Sequence, residues 1–218
     1  MTHNAGMTRI SADISRQQGG PSQPAAQLRQ AKLGAFFRPS QLAEAGLTRD
    51  QLRALVRTGD VERIGRGLYR LSEVEATENY SLAMACARVP NSVVCLLSAL
   101  RVHGIGTQSP AAIWLAIPHK ARVPRLPQLR LRVVRFSGAA ASFGIKPIEF
   151  EGVPARITDP PRTIADCFRL ERLVGAETAM EALHDALRQR KTTIAELSRV
   201  EELLPSRRLR AALDVRSI

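Results

Sequence analysis

Apolar positions recur at helical spacing from Gln27 to Gly59, and the spacing then changes to an alternation. A first helix is predicted over "QLRQAKL", ending near Gly34. A second covers "RPSQLAEAG", with Pro39 and Ser40 as start signals and Gly46 as the stop. A third, "TRDQLRALVRTG", opens at Thr48, finds a capping-box partner in Gln51, and closes at Gly59. Leu52, Leu55 and Val56 share one face of that helix. Asp50, Ala54 and Arg57 lie opposite, with Arg49 and Arg53 on one flank. "DVERIGRGLYRL" (Asp60 to Leu71) then alternates, which predicts two short strands around Gly65-Arg66-Gly67.

Beyond this point the pattern is helices, then strands, then helices. "SEVEATENYSLAMACARVP" reads as a linker and a helix ending at Pro90. "SVVCLLSALRVHGIG" is apolar nearly all round and predicts a buried helix, capped by Ser92 and stopped by Gly104. His103 falls at its C-terminal end, where an imidazolium is favoured, and a structural role is expected for it. "AAIWLAIP" predicts a buried strand, "LRLRVVRFS" an alternating one, and "IKPIEFEGVPARITD" a hairpin turning at Glu151-Gly152. "TDPPRTIADCFRL" is a helix start with Asp159 as N-cap and Pro160-Pro161 at the first positions. "GAETAMEALHDALRQ" and "TIAELSRVEELLP" are amphipathic helices, the second capped by Thr193 with Glu196, and "SRRLRAALDV" closes the chain. This succession predicts an α+β fold rather than a doubly wound one.

Three helices and a hairpin, with the short glycine-bearing turn "AGLT" between the second and third helices, is the order of a winged helix-turn-helix. The expected division is a flexible tail over residues 1–25, a winged helix-turn-helix over 26–76, and a larger α+β domain, with a small sheet and several helices, over 77–218. Residues 27–71 hold nine Lys or Arg against four acids, which favours DNA binding over a small helical unit with a solvated charged face. On that reading Arg49, Arg53 and Arg57 line a recognition helix, and Arg63, Arg66 and Arg70 sit on the wing against phosphates or a minor groove. Gly65 and Gly67 tolerate positive φ and permit close approach of the backbone to a phosphate. Tyr69 is expected half-buried under the hairpin.

Composition sharpens this picture. The chain is 44% hydrophobic and 24% charged, hence globular, and its formal charge of +12 argues for a polyanionic partner. No apolar run approaches the ~20 residues of a membrane span, and the start lacks a secretory apolar region, so a cytoplasmic protein without membrane contact is expected. Cys86, Cys95 and Cys167 fit neither a zinc site nor a disulfide framework and read as buried thiols. A second basic stretch, "PHKARVPRLPQLRLRVVRF", carries Lys120, Arg122, Arg125, Arg130, Arg132 and Arg135 without one acid. Read as a flexible loop leading to a strand with an arginine edge, it is a second nucleic-acid surface, a docking site for an acidic partner, or a solvated loop with edge-protecting charges. Dinucleotide, phosphate-loop, zinc-protease and serine-hydrolase motifs are absent. Glu149, Glu151 and Asp159 lack the acid-x-Lys element of a metal-dependent nuclease and read as surface charge and helix capping. A non-enzymatic protein without cofactor or metal is expected.

The blocks "FFRPSQLAEAGLTRDQLRALVRTGDVERIGRGLYRL", "VCLLSALRVHGI", "IWLAIP", "LRVVRFSG", "GVPARITDPPRTIADCFR" and "AMEALHDAL" together resemble the AbiEi-type antitoxins of type IV toxin–antitoxin systems, over about residues 27–215. The resemblance implies a winged-helix repressor that binds double-stranded DNA at an inverted repeat in its own promoter. It also implies that the segment after about residue 76 counters a nucleotidyltransferase-like toxin. The DNA contacts it implies fall on Arg49, Arg53, Arg57 and the wing arginines. Two alternatives belong beside it: a solitary regulator of the same type, and a basic protein- or RNA-interaction module.

Overall fold

The computed structural model describes residues 23–214 apart from 32, 34, 75 and 76. Most of the expected N-terminal tail lies outside the described residues; its last three residues already belong to the first helix, α1 (Gln23–Gln30). A two-residue strand, β1 (Phe36–Phe37), a 3-10 helix (Pro39–Ala45), α2 (Arg49–Thr58) and the hairpin β2 (Val61–Gly65) and β3 (Leu68–Leu71) follow. "RPSQLAEAG" is thus a 3-10 turn rather than an α-helix. Only Leu42 of it is buried, so little apolar surface holds the segment to α geometry, and Gly46 ends it at φ 65°. Thr48 caps α2 as expected, with its hydroxyl receiving the Gln51 amide while Thr48 N donates to Gln51 Oε1 at 2.8 Å.

β3 is the middle strand of a three-stranded sheet ordered β1-β3-β2, and both of its faces are covered. Tyr69 and Leu71 face an N-terminal core built from Leu28, Phe37, Leu42, Leu52, Leu55 and Val61. Tyr69 is half-buried and its ring stacks on Phe37. The alternate residue Leu68 faces the other way and, with Phe36, enters a core shared with the rest of the molecule.

That remainder is α3 (Tyr80–Arg88), β4 (Val93–Val94), α4 (Leu96–His103), β5 (Ile113–Pro118), β6 (Leu131–Phe136), a second 3-10 turn (Gly138–Ala141), β7 (Ile145–Phe150) and β8 (Val153–Thr158). It ends with α5 (Pro160–Arg169), α6 (Glu171–Val174), α7 (Ala176–Arg188), α8 (Ile194–Leu203) and α9 (Arg207–Asp214). The fold is therefore mixed α and β. The five-stranded sheet is ordered β6-β5-β4-β8-β7, parallel at β5/β6 and β4/β8 and antiparallel elsewhere. One face packs on α4, α5 and the C-terminal helices through Trp114, Ala116, Val134 and Phe136. The other packs on α3 and on Phe36 and Leu68 through Val94, Leu115, Ile117 and Ile157.

Three local results differ from the sequence expectation or explain it. "SVVCLLSALRVHGIG" is not one helix: Val93–Val94 form the central strand, and the chain turns directly into α4 through Leu96 at φ 49°. His103 does not favour the imidazolium. Burial pulls its pKa below the usual histidine value, against a hydrogen bond from Nε2 to the Thr158 carbonyl at 2.7 Å. Glu151 and Gly152 do form the turn between β7 and β8, at φ 50° and 82°.

The buried polar anchor of the larger half is Arg162, fully enclosed, which donates Nε to Asp166 at 2.9 Å and its other nitrogens to the carbonyls of Ala140 and Phe143. All three cysteines are buried, and burial pushes the Cys86 thiol up to about 12.

Candidate nucleic-acid interface

The capping box at Thr48 fixes where α2 begins, and Leu52 and Leu55 fix which side faces inward. The helix period then turns Arg49, Arg53 and Arg57 outward, and all three are exposed. Arg53 donates to Asp50 Oδ1 at 2.6 Å, with both side chains largely in solvent. At such exposure the pair contributes little to stability and leaves Arg53 available to another anion.

The hairpin presents Arg63 and Arg66 to solvent. Its turn is Arg66-Gly67, with Gly67 at φ 66°. A bulge between Arg63 and Gly65 offsets the register, so that Arg63 stands opposite Tyr69 and Gly65 opposite Leu68. Gly65 is not at positive φ: a side chain there would meet the Arg88 guanidinium, the far end of a flexible side chain that reaches from α3 to the Ile64 carbonyl and would have to shift. Of the two glycines, Gly67 is the one whose backbone conformation requires it.

Arg70 does not belong to the exposed set. It is 8% exposed, stands opposite Glu62, donates to the Val74 carbonyl, and lies over the Tyr80 ring at 4.9 Å. The alternation of the hairpin puts Arg70 on the same face as Leu68, and that face is covered by the larger half. Burial raises the Tyr80 hydroxyl pKa, partly opposed by the Arg70 charge.

The second basic stretch divides as well. Residues 119–130 are the crossover between the parallel strands β5 and β6, a connection that needs about a dozen residues. It is anchored by Ala121, Leu126 and Leu129, which pack on the shared core. Arg135 holds its start, donating to the carbonyls of Pro118, His119 and Ala121. Arg132, on the edge strand β6 with Arg135, lies over the Trp114 ring of β5 at 5.9 Å. All six cations of the stretch are exposed; Arg132 and Arg135 differ from Lys120, Arg122, Arg125 and Arg130 in being held by these contacts.

Two of the three acids considered for metal chemistry are bonded within the fold. Asp159 accepts the Arg162 amide at 3.1 Å as the N-cap of α5, and Glu151 accepts both the amide and the hydroxyl of Thr77. Among the described residues, no group of three or more His, Cys, Asp or Glu is arranged to hold a metal ion, and no helix is long and apolar enough to cross a membrane.

Residues 27–72 match a family model described as transcriptional regulator, AbiEi antitoxin. The match contains α2 and the whole hairpin, so the AbiEi resemblance holds for the segment that carries the exposed arginines. No curated protein matches the chain by sequence. Among solved structures, the RV2827C protein from Mycobacterium tuberculosis is similar with a TM-score of 0.54 at 18% identity, over 82% of this chain and 70% of that one. That likeness extends the shared fold well past residue 72.

Proposed function

We propose that this protein is a winged-helix repressor of its own operon and an antitoxin against a nucleotidyltransferase-like toxin. The observation that carries the DNA-binding half of the reading is the row of exposed arginines on α2 (Arg49, Arg53, Arg57) beside the hairpin arginines Arg63 and Arg66. An apolar stripe turned inward and long cationic donors turned outward are what a helix entering a major groove requires, and a hairpin at its side can follow the phosphates. The family match over residues 27–72 supports the same assignment and the regulator-antitoxin class.

In this reading the unit over residues 26–76 binds an inverted repeat in the protein's own promoter, and residues 77–218 carry antitoxicity without catalysis, in the cytoplasm. The test has two arms. Fluorescence anisotropy should show tighter binding to the promoter duplex than to a random duplex of equal length at physiological salt, with affinity falling steeply as salt rises. Growth during expression of the adjacent toxin should be restored by the full chain. Equal affinity for both duplexes ends the repressor reading, and absence of rescue ends the antitoxin reading.

A second reading keeps one observation of its own. Lys120, Arg122, Arg125 and Arg130 form an exposed basic crossover distant in sequence from the hairpin. In a solitary regulator or a basic interaction module, an acidic protein or RNA would bind there. A variant with Arg122, Arg125 and Arg130 reversed to Glu that still rescues growth would return this crossover to a solvated connection. Arg135 is left intact because it braces the crossover.

A further inference from the structure

A cleft of about 350 Å³ opens where the three-stranded sheet meets the larger half. Its apolar floor comes from both sides: Phe36 and Leu68 from the small sheet, Val89 and Pro90 after α3, and Val153 and Pro154 from β8. Two cations stand in its wall, Arg38 and Arg156. Each is oriented by a backbone carbonyl of the segment that ends α3: Arg38 donates to Ala87 O at 2.6 Å, and Arg156 to Asn91 O.

Those bonds use one nitrogen of each guanidinium, and a guanidinium carries five N–H donors in a fixed plane. The lining contains no Asp or Glu among the described residues, and neither arginine is in an ion pair with a described carboxylate. Cys86, which also lines the cleft, is held as a neutral thiol by its burial. The volume falls at the lower end of the roughly 300–1,000 Å³ usual for small-molecule sites. An apolar floor, pre-oriented cationic donors and no competing anion define a complementary ligand: a compact apolar body bearing one carboxylate.

We propose that this cleft binds a small aromatic or branched organic carboxylate, with the apolar body on Phe36, Leu68 and Val153 and the carboxylate between Arg38 and Arg156. The site is independent of the DNA-binding reading, since none of the outward arginines of α2 lines it.

The experiment is a titration of the full-length, methyl-labelled protein with 2-naphthoate and, separately, with its neutral analogue 2-naphthamide, followed by NMR. The methyl signals of Leu68, Val89 and Val153 should move in a saturable way with the acid, and the acid should bind about tenfold or more tighter than the amide. In the Arg38→Gln/Arg156→Gln variant the acid should lose that advantage. Equal affinity of acid and amide for the unaltered protein overturns the proposal, as do shifts confined to methyls outside the cleft or no shifts at all. A folded double variant that still prefers the acid also overturns it. If that variant does not fold, the acid-to-amide ratio of the unaltered protein decides alone.

Discussion

Arg53 donates to Asp50 Oδ1 across one turn of α2, on the face that the helix turns to solvent. The carboxylate is the only acid on that helix, in its first turn, where the helix dipole favours it. Against DNA the same carboxylate repels phosphate and competes for Arg53. Asp50→Asn is expected to tighten binding to promoter and random duplexes several-fold, while stability changes by no more than about 0.5–1 kcal/mol. Anisotropy titration and a denaturant melt check both; weaker binding would place Asp50 on a base edge instead.

The exposed arginines should separate by role. Arg53→Ala and Arg57→Ala are expected to cost about 1–3 kcal/mol on the promoter and less on random DNA, because they stand on the helix face assigned to the groove. Arg66→Ala, at the hairpin turn, should weaken both duplexes alike and lower the salt slope by about one unit. Competition titrations at several salt concentrations read these outcomes. Equal losses on both duplexes for all three variants would move the reading face elsewhere.

Arg70→Ala should behave differently from every other arginine of the hairpin. Its guanidinium is buried over Tyr80 and bonded to the Val74 carbonyl. Its removal is expected to cost about 2–3 kcal/mol of stability from the lost charged hydrogen bond and cation–π contact. Thermal and urea melts measure this. An unchanged melt accompanied by lost DNA affinity would return Arg70 to the exposed set.

His103 gives a pH signature. Its folded pKa lies below the usual value of 6.5 because burial disfavours the charged ring, with Lys191 acting the same way and Asp159 opposing it. Between the folded and unfolded values the unfolded chain binds more protons, so stability is full above about pH 6.5 and declines as pH falls through it. His103→Gln should flatten the change in Tm between about pH 7.5 and 5.5 relative to the unaltered protein. A variant with the same pH dependence would mean that other groups carry it.

What was legible in the sequence were features that a few neighbouring residues determine. Thr48 with Gln51, Thr193 with Glu196, Asp159 ahead of two prolines, and the Glu151-Gly152 turn all stand as the residue types demand. What was not legible depends on partners distant in the chain. Val93–Val94 is too short and too uniformly apolar for any period to distinguish it from the helix that follows. Arg70 reads as a solvated wing residue until the larger half covers that face of β3. Gly65 reads as a flexible glycine until Arg88 arrives from α3. The crossover at 119–130 reads as a loop because nothing local reveals that β5 and β6 are parallel neighbours. Among the candidate DNA contacts, Arg49, Arg53, Arg57, Arg63 and Arg66 stand exposed, because each lies on a surface that amphipathic periodicity or the hairpin turn already defines.

The most direct measurement compares two triple variants on promoter and random duplexes at physiological salt. One is Arg49→Ala/Arg53→Ala/Arg57→Ala on α2; the other is Lys120→Ala/Arg122→Ala/Arg125→Ala on the crossover. All six side chains are exposed, so both proteins should melt close to the unaltered chain. The α2 variant should lose its preference for the promoter and the crossover variant should keep it. Loss of preference in the crossover variant with the α2 variant unaffected would place the reading surface on the crossover and not on α2.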